Sequence, residues 1–309
     1  MLICDFNPKF RRSYTIEKFI KSSNNIFSNS RNYSTGYGID MAFFLKLLGF
    51  VDLKLFTIVG GEIGNLIKND LEKNYINSSL INIKDDSTEE VEIKEKGQNS
   101  YLKGAAPRLT QEEEENILYN FNELIKKEDV VILKRDNDLL NIKSFKSYIN
   151  SSVKNNIKTI ISTNSLNEVE GTTPYCIITT KSQLEDYTNL KISTLGEVLK
   201  FTDILINNGT KLFVITTENT FVIVSKDFAL KISLNKLSFK VNSINLDLVA
   251  GVIGACISKN YDIFTTIKLA VSSGIFQNKK KFTDINMAKI KEIMSEIEIE
   301  EVGIKNEKF

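Results

Sequence analysis

A chain of 309 residues with 42% hydrophobic side chains can bury one large core, and 40 basic against 39 acidic residues leave a net charge of +1, no global field for nucleic acid or a membrane surface. The absence of histidine removes His-dependent triads, the usual zinc sites and the commonest near-neutral base, so chemistry falls to carboxylates, lysines, backbone amides or a bound cation. Cys4, Cys176 and Cys256 are odd in number and far apart, MLICDFNPKF turns polar too early for a secretory segment, and no run is long enough to span a bilayer; reduced thiols and the cytoplasm are expected.

LICDF (2 to 6) reads as a short buried strand, and IDMAFFLKLLGF (39 to 50) has the apolar spacing of a helix stopped near Gly49. LKLFTIV (53 to 59) is a second strand, followed by a glycine turn and the helix GNLIKNDLEKN (64 to 74), the rhythm of a parallel sheet. The rhythm breaks at SLINI (79 to 83), TEEVEIKEK (88 to 96) and NSYLK (99 to 103), which alternate or hairpin around Gly97 and suggest a small side sheet or lid. Segments near 9 to 18 and 31 to 35 would add strands to it, with the inserted lid returning at about 86 to 104.

At Thr110 a helix cap precedes EEEE (112 to 115), which reads as a solvated helix start rather than a cation site. DVVILK (129 to 134), IKTIIS (157 to 162) and YCIIT (175 to 179) are β-rich. KLFVIT (211 to 216) and TFVIVS (220 to 225) look like adjacent strands, and LSFKV (237 to 241) is the next candidate. LDLVAGVIGACIS (246 to 258) and FTTIKLAVSSGIF (264 to 276) are apolar helices, and SEIEIEEVGI (295 to 304) alternates enough for a final edge strand. No repeat or long linker divides the chain, so residues 1 to 309 are expected to form one α/β domain.

Several stretches together resemble the PfkB, ribokinase-like carbohydrate kinases, nearest the branch of 1-phosphofructokinase and tagatose-6-phosphate kinase. LICDFNPKFRR keeps the branch's Asn-Pro at Asn7 and Pro8 but carries Arg11 where a sugar-binding aspartate stands. STGYGIDMAFFLKLLG is similar to the Gly-Gly-Lys-Gly-x-Asn stretch that meets a sugar phosphate, with Gly36, Tyr37, Gly38 and Asp40 in the turn, tyrosine replacing lysine and aspartate replacing asparagine. GGEIG (60 to 64) keeps the next glycine motif, and the lid arginine is Glu89. In the nucleotide half, Ile178, Thr179, Thr180 and Gln183 occupy a Lys-Pro-Asn-x-x-Glu motif, while Thr217 and Thr220 replace turn glycines.

The Gly-Ala-Gly-Asp anion hole and base correspond to NSINLDLVAG. Alignment from VAG places Ser243, Ile244 and Asn245 in the hole and Leu246 at the base; matching Asn242 and Ser243 to the preceding Asn-Thr requires a two-residue deletion. Asp247 is then either a displaced base or a helix-start acid offsetting orphan amides. The resemblance implies a three-layer α/β/α ribokinase-like fold with a mainly parallel sheet and a β lid, ATP with Mg if the protein is active, no metal site of its own, a sugar phosphate ligand, and a homodimer through the lid. Residues 9, 11 and 12 form either a basic rim or a solvated stretch, and Tyr37 either stacks on a ligand or fills vacated space. Altered substrate and nucleotide motifs lead to the expectation of absent or very weak transfer; the alternative is an active ketose-phosphate kinase using Asp247.

Overall fold

Residues that alternate between two apolar faces make the central sheet. The computed structural model describes residues 1–241, 243–277 and 287–302. The chain runs β1 (Leu2–Asp5), β2 (Lys9–Thr15), β3 (Asn29–Thr35), α1 (Tyr37–Leu47), β4 (Lys54–Gly60), α2 (Gly61–Lys73) and β5 (Ser78–Ile83). It continues through β6 (Thr88–Glu95), β7 (Gln98–Lys103), α3 (Gln111–Ile125), β8 (Val130–Leu133), α4 (Ile142–Lys154), β9 (Lys158–Ser162) and β10 (Cys176–Thr180). Then come α5 (Lys181–Thr188), α6 (Leu195–Asn207), β11 (Leu212–Thr216), β12 (Thr220–Val224), β13 (Ala229–Ser233), α7 (Leu246–Ser258), α8 (Ile263–Gln277), α9 (Met287–Glu296) and β14 (Glu300–Glu301).

The large sheet has the order β14-β13-β12-β11-β10-β9-β8-β1-β4-β5. Pairing is parallel from β5 to β11 and antiparallel from β11 to β14. Period-two side chains sort strictly between its faces. Ile3, Val130, Ile132 and Val214 join one core with α1, α2, α7, α8 and α9, whereas Leu2, Cys4, Val131, Leu133 and Phe213 join the other with α3, α4, α5 and α6. The result is the three-layer α/β/α arrangement with a smaller four-stranded sheet, β3-β2-β6-β7. Among the described residues, no helix is long and apolar enough to cross a membrane.

Local chemistry sets the boundaries. Thr110 and Glu113 form a reciprocal capping box at α3, so the first acid run serves the helix start. A Cβ at Gly61, whose φ is +60°, would overlap Asp86 Oδ1, and one at Gly64 would lie 3.0 Å from the Val59 carbonyl carbon. These glycines therefore let α2 leave β4 beneath the loop that follows β5.

Four expected strands differ. SLINI is β5 of the large sheet, paired in parallel with β4, because its apolar positions cover the α3 side of the core; it is no part of the lid. LSFKV forms no strand, since a 3-10 turn at Leu234–Lys236 lifts the chain out of the sheet; the strand there is β13, in the less apolar ALKIS run. The final edge strand is only Glu300–Glu301, and the last two residues of the expected span lie outside the described residues, as does Asn242. The lid strand beginning at Lys9 ends at Thr15, short of the expected residue 18.

Candidate functional site

Ligands of open parallel sheets bind beyond the carboxyl ends of the strands. Here β1, β9, β10 and β11 end in Asp5, Ser162, Thr180 and Thr216 and β8 is followed by Lys134 along one edge, with the lid joined to the β1 end. At about 4.8 Å per strand, β1 and β10 stand roughly 14 Å apart. Two half-sites with a centre between them follow from that spacing.

The β1 end brings together Asn7, Gly36, Tyr37, Gly38 and Asp40, with Arg11 above them on β2. Asp5, buried at 1% exposure, accepts from Gly38 N (3.0 Å) and Ile39 N (3.1 Å) on Oδ2 and from Asn7 N (3.3 Å) on Oδ1. A Cβ at Gly36 would overlap Asp5 Oδ2, and one at Gly38 would come 2.7 Å from Asp5 Cβ. The glycine turn is therefore moulded around a side chain of the protein itself. Burial pushes the Asp5 carboxyl up to about 6, against the pull of the three amides, with the charge of Asp136 adding to the rise.

Asp40 takes the hydroxyl of Thr35 at 3.1 and 3.0 Å from its two oxygens. Burial raises its carboxyl to about 7; the Thr35 hydrogen bond opposes this, Asp5 adds to it and Arg11 opposes it. Tyr37 donates to Cys4 O and accepts from Lys134 N (3.3 Å). It spans the ends of β1 and β8 as a filler, and burial pushes its phenol well above the ordinary range. Asn7 Oδ1 accepts from Thr88 Oγ1 (3.1 Å), while its buried Nδ2 has no partner. Arg11 faces Glu90 (2.9 Å), Tyr33 Oη (3.4 Å) and the rings of Tyr33 and Tyr101, so the lid itself holds its charge. Arg12 points to the other lid face and pairs with Glu89, the residue that the resemblance sets at an arginine position.

Between the halves lies Asp247, in the first turn of α7. Its two oxygens each accept from Lys134 Nζ at 2.7 Å, and Oδ1 also accepts from Ser162 Oγ at 2.9 Å. The helix cap is supplied by Asn245, whose Oδ1 accepts from Leu248 N (3.1 Å) and whose own N donates to Gly274 O (3.0 Å). Asp247 thus faces the strand ends. Lys134 and Ser162 were not foreseen as site residues; the available signal was a polar residue ending an apolar β run, at DVVILK and IKTIIS.

The third part is a cleft of about 560 Å³ where α5 leaves β10 and β11 turns into β12. Thr180, Thr217 and Thr220 line it, joined by Lys181, Glu185 and Glu218. Gln183 donates its backbone N to Thr180 Oγ1 (3.3 Å) as part of the α5 cap and does not line the cleft; neither does Asn245. The volume falls within the range of small-molecule sites, and threonine hydroxyls with an ammonium suit a polyphosphate. Glu185 faces Lys181 at 3.7 Å, and Glu218 is the second carboxylate there. Among the described residues no group of three or more His, Cys, Asp or Glu side chains is arranged to hold a metal.

Comparison with known proteins agrees with this fold. The sequence profile described as pfkB family carbohydrate kinase matches residues 11–276. A 1-phosphofructokinase of Borreliella burgdorferi is 23% identical over 306 residues, covering 96% of this chain and 97% of that protein. Among solved structures, a Staphylococcus aureus protein provisionally described as a phosphofructokinase superposes with a TM-score of 0.85 at 20% identity, over 97% of this chain and 98% of that one. Phosphofructokinase-2 of Escherichia coli, in complex with fructose-6-phosphate, gives 0.80 at 13% identity, over 96% and 98%. At these identities the superpositions speak for the fold.

Proposed function

The chain belongs to the pfkB family of carbohydrate kinases, and from that premise we propose that it keeps the two-part cleft for binding while phosphoryl transfer is lost or very weak. The observation that carries this reading is the bidentate hold of Lys134 on Asp247, with Ser162 on the same carboxylate. A general base must accept a proton on an oxygen within reach of the attacking hydroxyl. For Asp247 that step requires breaking charge-assisted hydrogen bonds already made. Transfer also needs cationic or amide stabilisation of the phosphoryl oxygens. Tyr37 offers no charge, Arg11 is neutralised by Glu90, and Lys134 is paired with Asp247.

For a bound nucleotide, Thr180, Thr217 and Thr220 would supply hydrogen bonds at the strand ends and Lys181 an ammonium, with Glu185 and Glu218 near its hydrated magnesium. ATP would bring the transferable phosphoryl group. A second reading, an active ketose-phosphate kinase, is favoured by the position of Asp247 between the Asn7 half and the threonine cleft. The purified protein with ATP and magnesium, presented with a panel of ketose phosphates and free sugars, is expected to give no turnover above the blank. Turnover that disappears in Asp247→Ala would establish the second reading and overturn the first.

The outer lid face supports a homodimer. Tyr14, Phe27, Val91, Ile93 and Leu102 share it, with Phe27 51% and Leu102 65% exposed, while the inner face is polar and internally hydrogen-bonded. A second copy of the lid is the partner that this apolar face suits.

A further inference from the structure

The N-terminus of α1 is an anion seat, and the anion in it is part of the chain. Two helix amides converge on Asp5 Oδ2, a third amide holds Oδ1, and the glycines leave no room beside the carboxylate. A phosphate group brought to this turn would find the Gly38 and Ile39 amides already taken and a negative charge beside them. Nor do nearby cations compensate. Arg11 is held by Glu90 at 2.9 Å, and the field of Lys9 falls on Asp138, which Lys103 already binds at 2.5 Å and holds below the usual carboxylate range.

The same half-site nevertheless asks for a ligand. Asn7 is 3% exposed; its Oδ1 is satisfied by Thr88 and its Nδ2 donates to nothing, an arrangement that costs free energy unless an acceptor arrives. Asp40, in the same first turn of α1 as the amides that hold Asp5, has the Thr35 hydroxyl and the Gly36 amide as donors and lone pairs left over. One group needs an acceptor and the other needs donors. Hydroxyls meet both demands, whereas a phosphate dianion meets only the first.

We propose that this half-site takes an unphosphorylated sugar or polyol, with Asn7 Nδ2 donating to one ligand hydroxyl and Asp40 accepting from another, and that Asp5 is the specificity determinant barring phosphate esters. The proposal rests on the family reading of the cleft as a binding site, and it is independent of whether phosphoryl transfer survives.

Calorimetric titration and ligand-observed NMR on the full-length protein, without ATP, test it with D-fructose, D-tagatose and D-ribose against the 1- and 6-phosphates of the ketoses. The expected result is binding of at least one free sugar, about tenfold or more tighter than its phosphate ester, a gap corresponding to roughly 1.4 kcal/mol. Asp40→Asn should weaken the free sugar. Asp5→Ser should gain affinity for inorganic phosphate and for the esters; Asp5→Asn, which keeps the shape and removes the charge, gives the same readout if the serine variant fails to fold. Wild-type protein that binds an ester as tightly as its parent sugar, or binds none of the three free sugars, overturns the proposal. Turnover of a free sugar with ATP would instead overturn the loss of transfer and leave this specificity standing.

Discussion

Tyr37 and Asp40 carry the residue-scale chemistry of the turn that opens α1. Tyr37 uses its hydroxyl at the ends of β1 and β8, where it packs under Lys134 with the ammonium 6.0 Å from the ring centroid. Filling is therefore its structural role. Asp40 is a carboxyl with a folded pKa of about 7 against an unfolded value of 3.8. A carboxyl raised in this way contributes stability that is fully present below about pH 4 and lost as pH rises through 7, because the folded state binds the proton more tightly. Asp5, at about 6, adds a loss of the same sign over a slightly lower window. Asp40→Asn should thus stabilise the protein at pH 8 by on the order of 1–3 kcal/mol, with the gain vanishing near pH 4. Urea midpoints measured across that range check it; a gain that persists at pH 4 would show that ionisation is not the cause.

Helix α7 carries the centre of the site and is placed by its small residues. A Cβ on Gly251 would come 2.5 Å from Met41 Cγ, and one on Gly254 would come 2.8 Å from Ile132 Cδ1, so these glycines allow close approach of α7 to α1 and to β8. The approach aims Asp247 at Lys134, the residue following β8. Gly251→Val should overpack the α1 contact and lower stability by roughly 2 kcal/mol, seen as a lower urea midpoint with unchanged far-ultraviolet circular dichroism. The element pattern of α7 was legible, since VAGVIGA is uniformly apolar with glycines spaced by three. The partner of Asp247 was not, because Lys134 and Asp247 are 113 residues apart and meet only through sheet order.

For the whole molecule, the lid is the surface on which the proposed assembly rests. If two lids pack through their outer faces, sedimentation equilibrium should give a dimer, and Leu102→Glu should shift it to monomer while leaving the melting temperature of the body little changed. A wild-type chain that sediments as a monomer at working concentrations removes this reading. Period-two and helical apolar patterns by themselves determined the α/β class, the strands β1, β4 and β8 to β12 and the helices α1, α2, α7 and α8, because burial of alternating side chains is a local constraint; α4, α5, α6, α9 and β13 were not read from them. They misassigned SLINI to the lid and placed a strand at LSFKV, since pairing partners are chosen by distant strands competing for the same edge. Which altered motif residues meet was decided only by tertiary structure. Asp5 reaches the α1 amides, Tyr37 closes the gap beneath Lys134, and Asp247 finds its cation because the sheet stacks the ends of β1, β8 and β9 within hydrogen-bonding reach; electrostatic pairing depends on distance through space, and sequence separation carries no measure of it.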